Sequence, residues 1–496
     1  MVASTARQVE WREKDFHISE LIHAREAEAS AAKLHETDPM HFKGLCKQVI
    51  KHLQEKMKAR KEADIQKWQK LQHDAVIGKK EAVRIFKEEI EEFVRLSQLQ
   101  GTSYPRYYKS LTEALFQETL GLGPISLWWA HPLFHKSEAA KIIGTKIYFD
   151  IPGESDPLQP FEYESEEYVI ENVINKIKMK DEHAHINQFK PTLELEMDDG
   201  TRVTMIIPPR ARKPMVIFRN YTMRNPRIEH YVGLGSMPAD IYAFVLALSK
   251  ARLNAVNTGA PKSGKSTFTI AMSAERIKKG KVTVVIEHDF SELKLSDLHP
   301  DHQILEFIVR TEADYDDVFR QVLRSDYDFA IIPELRSIEA ELCMLACERG
   351  KGGTITTYHT EQVENIPGQI ARLILQRFPS RLYEEELIRV AGNLDIGFVW
   401  RERSDGSKQL CQISEFRVDP FTNEISTHDF MRYDDCTEQY TFSAGVSDAI
   451  RKKMFEQDPL LATTALRELE ELARAFPLQG QPSAQHKEEL THVPVI

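Results

Sequence analysis

Gly259-Ala260-Pro261-Lys262-Ser263-Gly264-Lys265-Ser266-Thr267 satisfies G-x-x-x-x-G-K-[ST] at every fixed position. A short apolar run, Ala255–Thr258, precedes it, and a helix-period apolar pattern starts near Lys265. Strand, glycine loop and helix in this order make a phosphate cradle. The glycines let the backbone curl until several N–H groups face one anion. The following helix turns its positive end to the same anion. In such a loop Lys265 bridges the β- and γ-phosphates of a nucleoside triphosphate, and the Ser266 hydroxyl ligates Mg²⁺. The expected ligands are ATP and Mg²⁺, with Gly259 to Thr267 as the nucleotide-binding segment.

Working outward, short apolar runs alternate with helical patterns from about residue 222 to 430. The runs are Ala255–Thr258, Val282–Glu287, Ile304–Val309, Phe329–Pro333 and Thr354–His359. This alternation predicts a parallel sheet covered by helices, an α/β fold. Phe398–Arg403 and Gln409–Phe416 around Asp405-Gly406 predict an antiparallel hairpin.

Hydrolysis also needs a carboxylate near the metal and the attacking water. Glu334 follows the run Phe329-Ala330-Ile331-Ile332-Pro333, and ligands of open parallel sheets bind at the carboxyl ends of strands. Glu287, at the end of Val284-Val285-Ile286-Glu287, and Glu292 in the loop beyond are further candidates, to hold Mg²⁺ through water or to orient the nucleophile. Asp289 is available there too. Asp328, before its strand, reads as a cap or turn residue. His359 ends Thr354-Ile355-Thr356-Thr357-Tyr358 on the same edge, where it can sense a γ-phosphate. Arg336 can pair with a carboxylate or a phosphate.

The chain has 496 residues, 42% hydrophobic and 28% charged, with a net charge of −11. This fits an ordinary globular protein of several domains and gives no sign of whole-surface nucleic-acid binding. No apolar run reaches the roughly 20 residues of a membrane helix, and the opening MVASTARQVEWREKD has no apolar signal segment. The expected location is the cytoplasm. The five cysteines lack a paired C-x-x-C spacing, so no structural zinc site is indicated.

Residues 1–104 are charged and amphipathic, with Leu45, Val49, Leu53, Met57 and then Val83, Phe86, Ile90, Phe93 at helical spacing. Residues 105–221 read as a smaller α/β domain. It has a helix at Leu111–Leu120, a strand at Lys146–Ile151 and a helix at Glu166–Met179. A hairpin, Leu193–Met197 with Arg202–Ile207, closes on Asp198-Asp199-Gly200-Thr201. Residues 222–433 are the nucleotide domain. Residues 434–496 read as a tail with one helix, Thr463–Ala475, and a polar end, Gln479 to Thr491, without a folded pattern.

These motifs, in this order, resemble the secretion ATPases of type II and type IV systems and type IV pili, the GspE/PilT superfamily. Within it they resemble the CpaF/TadA-type ATPases of tight-adherence (Tad) pili. The resemblance covers roughly residues 105–420. It rests on Leu120-Gly121-Leu122-Gly123-Pro124-Ile125, on Asp199-Gly200-Thr201-Arg202-Val203 through Pro208-Pro209, and on Ala251-Arg252-Leu253-Asn254 before the strand into the loop. It rests also on the acidic box Ile286-Glu287-His288 through Glu292-Leu293, on Ile331-Ile332-Pro333-Glu334-Leu335-Arg336 followed by Glu339-Ala340, and on Gly353-Thr354-Ile355-Thr356-Thr357-Tyr358-His359. It implies a RecA-like P-loop domain with a smaller α/β N-terminal domain and a helical extension, assembled as a homohexameric ring. The ring would lie on the cytoplasmic face of a membrane and act on a membrane platform protein. The resemblance places nucleotide between the two domains, with Arg202 and Arg219 matching the phosphate-reaching arginines. Three departures stand out: His288 for the second acid of the acidic box, Pro333 and Ser337 for glycines, and Lys351 for the early histidine. The alternatives are a conjugation-type DNA-transfer ATPase and a weakly hydrolysing, nucleotide-binding structural paralogue.

Overall fold

In a computed structural model, residues 39–59, 62–179, 184–220, 225–288, 291–336, 338–349 and 351–478 are described. Asp289, Ser337, the opening segment and the polar end after Leu478 lie outside them. The chain divides into two units at residue 222/223.

In the first unit, the helical spacing of residues 40–96 becomes three helices, Pro39–Lys58, Glu62–Val76 and Lys80–Leu96. Their apolar faces bury Leu45, Val49, Leu53, Trp68, Phe86 and Ile90 around the helix Leu111–Thr119, which adds Leu115 and Phe116. No packing boundary therefore falls at 104. The sheet uses β1 (Ala139–Ile143), β2 (Lys146–Asp150), β3 (Leu158–Glu162), β4 (Thr192–Glu196), β5 (Arg202–Ile206) and β6 (Met215–Arg219). Their order is β3-β2-β1-β6-β5-β4, with every pairing antiparallel. Gly200 supplies the φ of 87° that the β4–β5 turn requires. The expected helix after Ser165 carries a π-helical stretch, Val169–Ile174. It packs Val169, Val173 and Ile174 into a core with Trp128, Val203 and Phe218.

The second unit is built on β7 (Ala255–Gly259), β8 (Val282–His288), β9 (Gln303–Val309), β10 (Phe329–Ile332), β11 (Ile355–Tyr358), β12 (Ile396–Glu402), β13 (Lys408–Val418), β14 (Ile425–Asp434) and β15 (Gln439–Phe442). The order is β15-β14-β13-β12-β7-β11-β10-β8-β9. The segment from β12 to β9 is parallel, and β13 to β15 add antiparallel. Runs such as Val284-Val285-Ile286 are continuously apolar because helices cover both faces, as parallel sheets require. One core gathers Phe244, Leu248, Phe268, Phe398, Ile450 and Leu469. The other gathers Val256, Ala330, Cys343, Ile370 and Val390. The architecture is α/β, with a P-loop domain and a smaller α/β domain beside helices.

Three features depart from expectation. β14 runs through position 433, so the segment beyond belongs to the same sheet and core. The helix of the tail starts at Pro459, not Thr463, and a second helix, Asp448–Gln457, precedes it. Asp328 is more than a turn residue. It is buried, accepts the Val282 N–H at 3.0 Å, and pairs with Arg252, Lys281 and Lys351 at 3.1, 3.2 and 3.3 Å.

Burial opposes ionisation of Asp328, but the Val282 N–H and the three cations outweigh it and hold the carboxyl well below the usual range. A depressed carboxyl pKa stabilises the fold above the unfolded value and loses that contribution as pH falls. Asp328→Asn is therefore expected to lower unfolding free energy by ~1.5–3 kcal/mol at pH 7. In urea denaturation the gap to wild type should close as pH falls below about 4.

Candidate functional site

β7 lies between β11 and β12, with all five of its residues buried. At its end Gly259 has a φ of 142°, and a Cβ there would fall 2.0 Å from the Trp400 carbonyl oxygen. Lys262 (φ 65°) and Gly264 (φ 97°) then curl the chain into the helix Lys265–Arg276. The loop is thus built of residues able to take left-handed backbone, at the carboxyl end of a central strand. The helix is pinned in its second turn and at its last residue. Asn257 Nδ2 donates to Thr269 Oγ1 at 2.7 Å. The buried Arg276 guanidinium donates to the carbonyls of Ser249, Leu253 and Gly353 at 2.8, 2.9 and 2.6 Å, and burial pulls its pKa down to about 9.

Lys265 is only 6% exposed. Its ammonium donates to the carbonyls of Gly259 at 2.9 Å and Ala260 at 2.6 Å. Burial pushes its pKa down to about 8, against the opposing charges of Glu334 and Glu292. Ser266 and Thr267 are half-buried on the first helical turn, whereas Pro261 and Lys262 are exposed and Ser263 is buried.

Glu334 follows β10, and its carboxylate accepts Arg336 Nη2 at 2.7 Å and lies 3.3 Å from His359 Nε2. Burial alone would raise its pKa, but Arg336 and His359 outweigh it and hold the carboxyl below its ordinary value. β10 and β11 pair Ile332 with Thr356, so the two strand ends meet. Pro333 offers no N–H to the ladder. Its carbonyl accepts from Thr357 Oγ1, and the Leu335 N–H reaches the Thr357 carbonyl at 3.3 Å. The proline is thereby accommodated without losing the connection to β11. Thr258 Oγ1 donates to the Thr360 carbonyl, tying β7 to the residue after His359.

The structure therefore brings Lys265, Glu292, Glu334, Arg336 and His359 into one electrostatic group. Glu287 turns elsewhere. It is 5% exposed, and its Oε1 accepts the N–H groups of Glu292 at 2.8 Å and Leu293 at 2.9 Å. Burial raises its pKa to about 7, against those two N–H groups. Its place is to hold the loop that carries Glu292. Lys351 pairs with Asp328 before β10, at the opposite end of that strand from Glu334.

In the first unit, Arg202 and Arg219 are direct cross-strand partners of β5 and β6. Arg202 Nη2 pairs with Glu194 at 3.0 Å, and Arg219 is exposed. Sequence reasoning missed three contributors: Arg276, Thr258 and the inward turn of Glu287. The only signal for Arg276 is a basic residue closing the P-loop helix.

Residues 154–389 match the family model described as type II/IV secretion system protein. That part of the chain is similar to proteins of type II and type IV secretion systems. A curated relative, the probable conjugal transfer protein TrbB of Sinorhizobium fredii, is 23% identical over 205 residues, 40% of this chain. The match spans 61% of that relative's length. Among solved structures, the VirB11 ATPase of the Brucella suis type IV secretion system is 19% identical. The match covers 60% of this chain and 96% of that one, at a TM-score of 0.31. The Legionella pneumophila ATPase DotB is 15% identical over 70% of this chain and 88% of its own, at 0.39.

Gly259→Ala would set a methyl group against the Trp400 carbonyl and force a strained backbone. Strain alone costs about 1–3 kcal/mol, and the overlap adds to it. The expected result in thermal denaturation is a Tm lower by several degrees at least, or no soluble protein. An unchanged Tm would contradict the close approach.

Proposed function

We propose that the second unit binds ATP with Mg²⁺ and hydrolyses it to drive a secretion or pilus machine. The observation that carries this reading is the convergence of Lys265 with Glu334, Arg336 and His359 at the carboxyl ends of neighbouring parallel strands. Triphosphate entering the loop would draw the Lys265 ammonium from the Gly259 and Ala260 carbonyls onto the β- and γ-oxygens. The donor set suits a Mg²⁺ that takes most of its ligands from phosphate and water. The Ser266 hydroxyl and the Glu334 carboxylate would hold it, and bound there it neutralises charge on the phosphates. Glu334 is kept ionised, so its carboxylate is available to orient the attacking water, with Arg336 and His359 fixing its direction. Glu287, through the loop it holds, would place Glu292.

By the motif resemblance, the working form is a homohexamer on the cytoplasmic face of a membrane, acting on a platform protein of a Tad-type pilus. Among the described residues no helix is long and apolar enough to cross a membrane. The conjugal-transfer relative favours a second reading, a DNA-transfer machine with the same chemistry. Deletion in the native host separates them: loss of surface pili supports the first, and loss of plasmid transfer with pili retained supports the second. Arg202 and Arg219 enter the proposal as an anion-recognising pair.

Phosphate release with Mg-ATP tests the reaction. Lys265→Ala is expected to weaken ATP binding at least tenfold. Glu334→Gln should bind ATP normally and release phosphate about a hundredfold more slowly, the scale of a lost catalytic carboxylate. Arg219→Ala should slow release by at least tenfold with ATP affinity nearly unchanged. A wild-type protein that neither binds ATP nor releases phosphate would overturn the reading.

A further inference from the structure

The residue that breaks the acidic box, His288, is the last of β8 and directly follows Glu287. Its Nδ1 lies 2.9 Å from the Tyr315 hydroxyl. Tyr315 sits on the helix Glu312–Val322 and is 2% exposed. Its O–H donates to Oε1 of Glu339, a carboxylate only 6% exposed on the first turn of the helix Ile338–Arg349. His288 Nδ1 is also 3.6 Å from that oxygen, and its ring stacks on Tyr315 at an interplanar angle of 24°. A phenol has one proton. Once Tyr315 gives it to Glu339, its oxygen can only accept from His288, so the ring carries its proton on Nδ1. Glu339, on the first turn of its helix, is the acceptor at the far end, so one proton direction runs through the three residues.

The elements joined in this way matter to the site. β8 ends in Glu287, whose carboxylate holds the Glu292 and Leu293 amides. The helix of Glu339 follows Glu334 and Arg336 in the chain. Two acidic segments on neighbouring strands are therefore held to a common reference by one buried hydroxyl. The bonds run between side chains of separate elements, so backbone pairing of β8 with β10 does not supply the same restraint.

We propose that His288, Tyr315 and Glu339 form a positioning relay that sets the strand end at Glu287, and through it the Glu292 loop, against the segment carrying Glu334. For its effect on turnover this rests on the ATPase reading above. Its effect on the loop does not. The relay also gives His288 a positive role in place of an acid.

The test uses the full chain and two readouts. Tyr315→Phe removes one hydroxyl and keeps the ring. Leaving buried hydrogen-bonding groups without their partner corresponds to about tenfold or more. In native-state hydrogen exchange, the Glu292 and Leu293 amides are expected to exchange about tenfold faster than in wild type, with the β7 amides unchanged. In turnover, kcat should fall about tenfold with KM for ATP within twofold. His288→Ala should match Tyr315→Phe. His288→Asn, which keeps a donor near the Nδ1 position, should recover most of both readouts. Unchanged exchange at residues 292 and 293 in Tyr315→Phe overturns the relay whatever kcat does. A uniform acceleration that reaches β7 overturns it as well, since that marks a structural role alone. If wild type releases no phosphate, the ATPase reading fails, and the exchange ratio still decides the relay.

Discussion

The near contact between Gly259 and the Trp400 carbonyl is the constraint around which the second unit is arranged. A hydrogen in place of a side chain lets β7 end against the main chain of β12, and only from that position does the loop turn into the helix Lys265–Arg276. Phe268, on that helix, packs between Phe398 and Trp400 of the same β12, with ring centroids 5.2 and 4.7 Å apart. Loop and helix are thus gripped by one strand, through its backbone on one side and its aromatic side chains on the other. Arg276 closes the grip by donating to three main-chain carbonyls from separate segments.

Around this frame, charge is divided between the two ends of β10. Before the strand, Asp328 gathers three cations. After it, Glu334 is held between Arg336 and His359 and shares a field with Lys265. The division follows from the parallel part of the sheet, β12 to β9, which points its carboxyl ends one way. It also explains why a lysine is acceptable at position 351. That residue serves the opposite edge, where a carboxylate awaits it, and takes no part near Glu334.

The central strands were legible because burial on both faces leaves apolar runs, as in Val284-Val285-Ile286 and Phe329-Ala330-Ile331-Ile332. β14 was not, because its buried positions include Thr427 and Asp429. Asp429 is accommodated there by Ser414 at 2.6 Å, Gln412 at 2.9 Å and Arg432, partners that local sequence does not reveal. β1 and β6 were overlooked for a related reason. Each has five residues and reads as a strand only once the other pairs with it. Residue types and strand ends suggested Lys265, Glu334 and His359 as one group, and the fold sets Glu334 3.3 Å from His359 and within the field of Lys265. The direction of Glu287 was not legible, because a carboxylate at a strand end can face a ligand or its own loop. Only the spacing of the Glu292 and Leu293 amides decides it.

The order in which the chain is made gives the last of the described helices a particular weight. Pro459–Ala475 buries Ala462, Ala465 and Leu469 in the core that holds Phe244 and Leu248 of the helix Tyr242–Lys250, and Lys250 reaches Asp458 at 3.4 Å. Those two helices are separated by the whole P-loop sheet. A ribosome that has already released the loop, Glu334 and His359 still has not delivered the surface that covers the back of the domain. The site's residues emerge early, but the scaffold that fixes them closes late. During synthesis this unit passes through a long interval with exposed apolar surface, the state in which chaperones bind and chains aggregate.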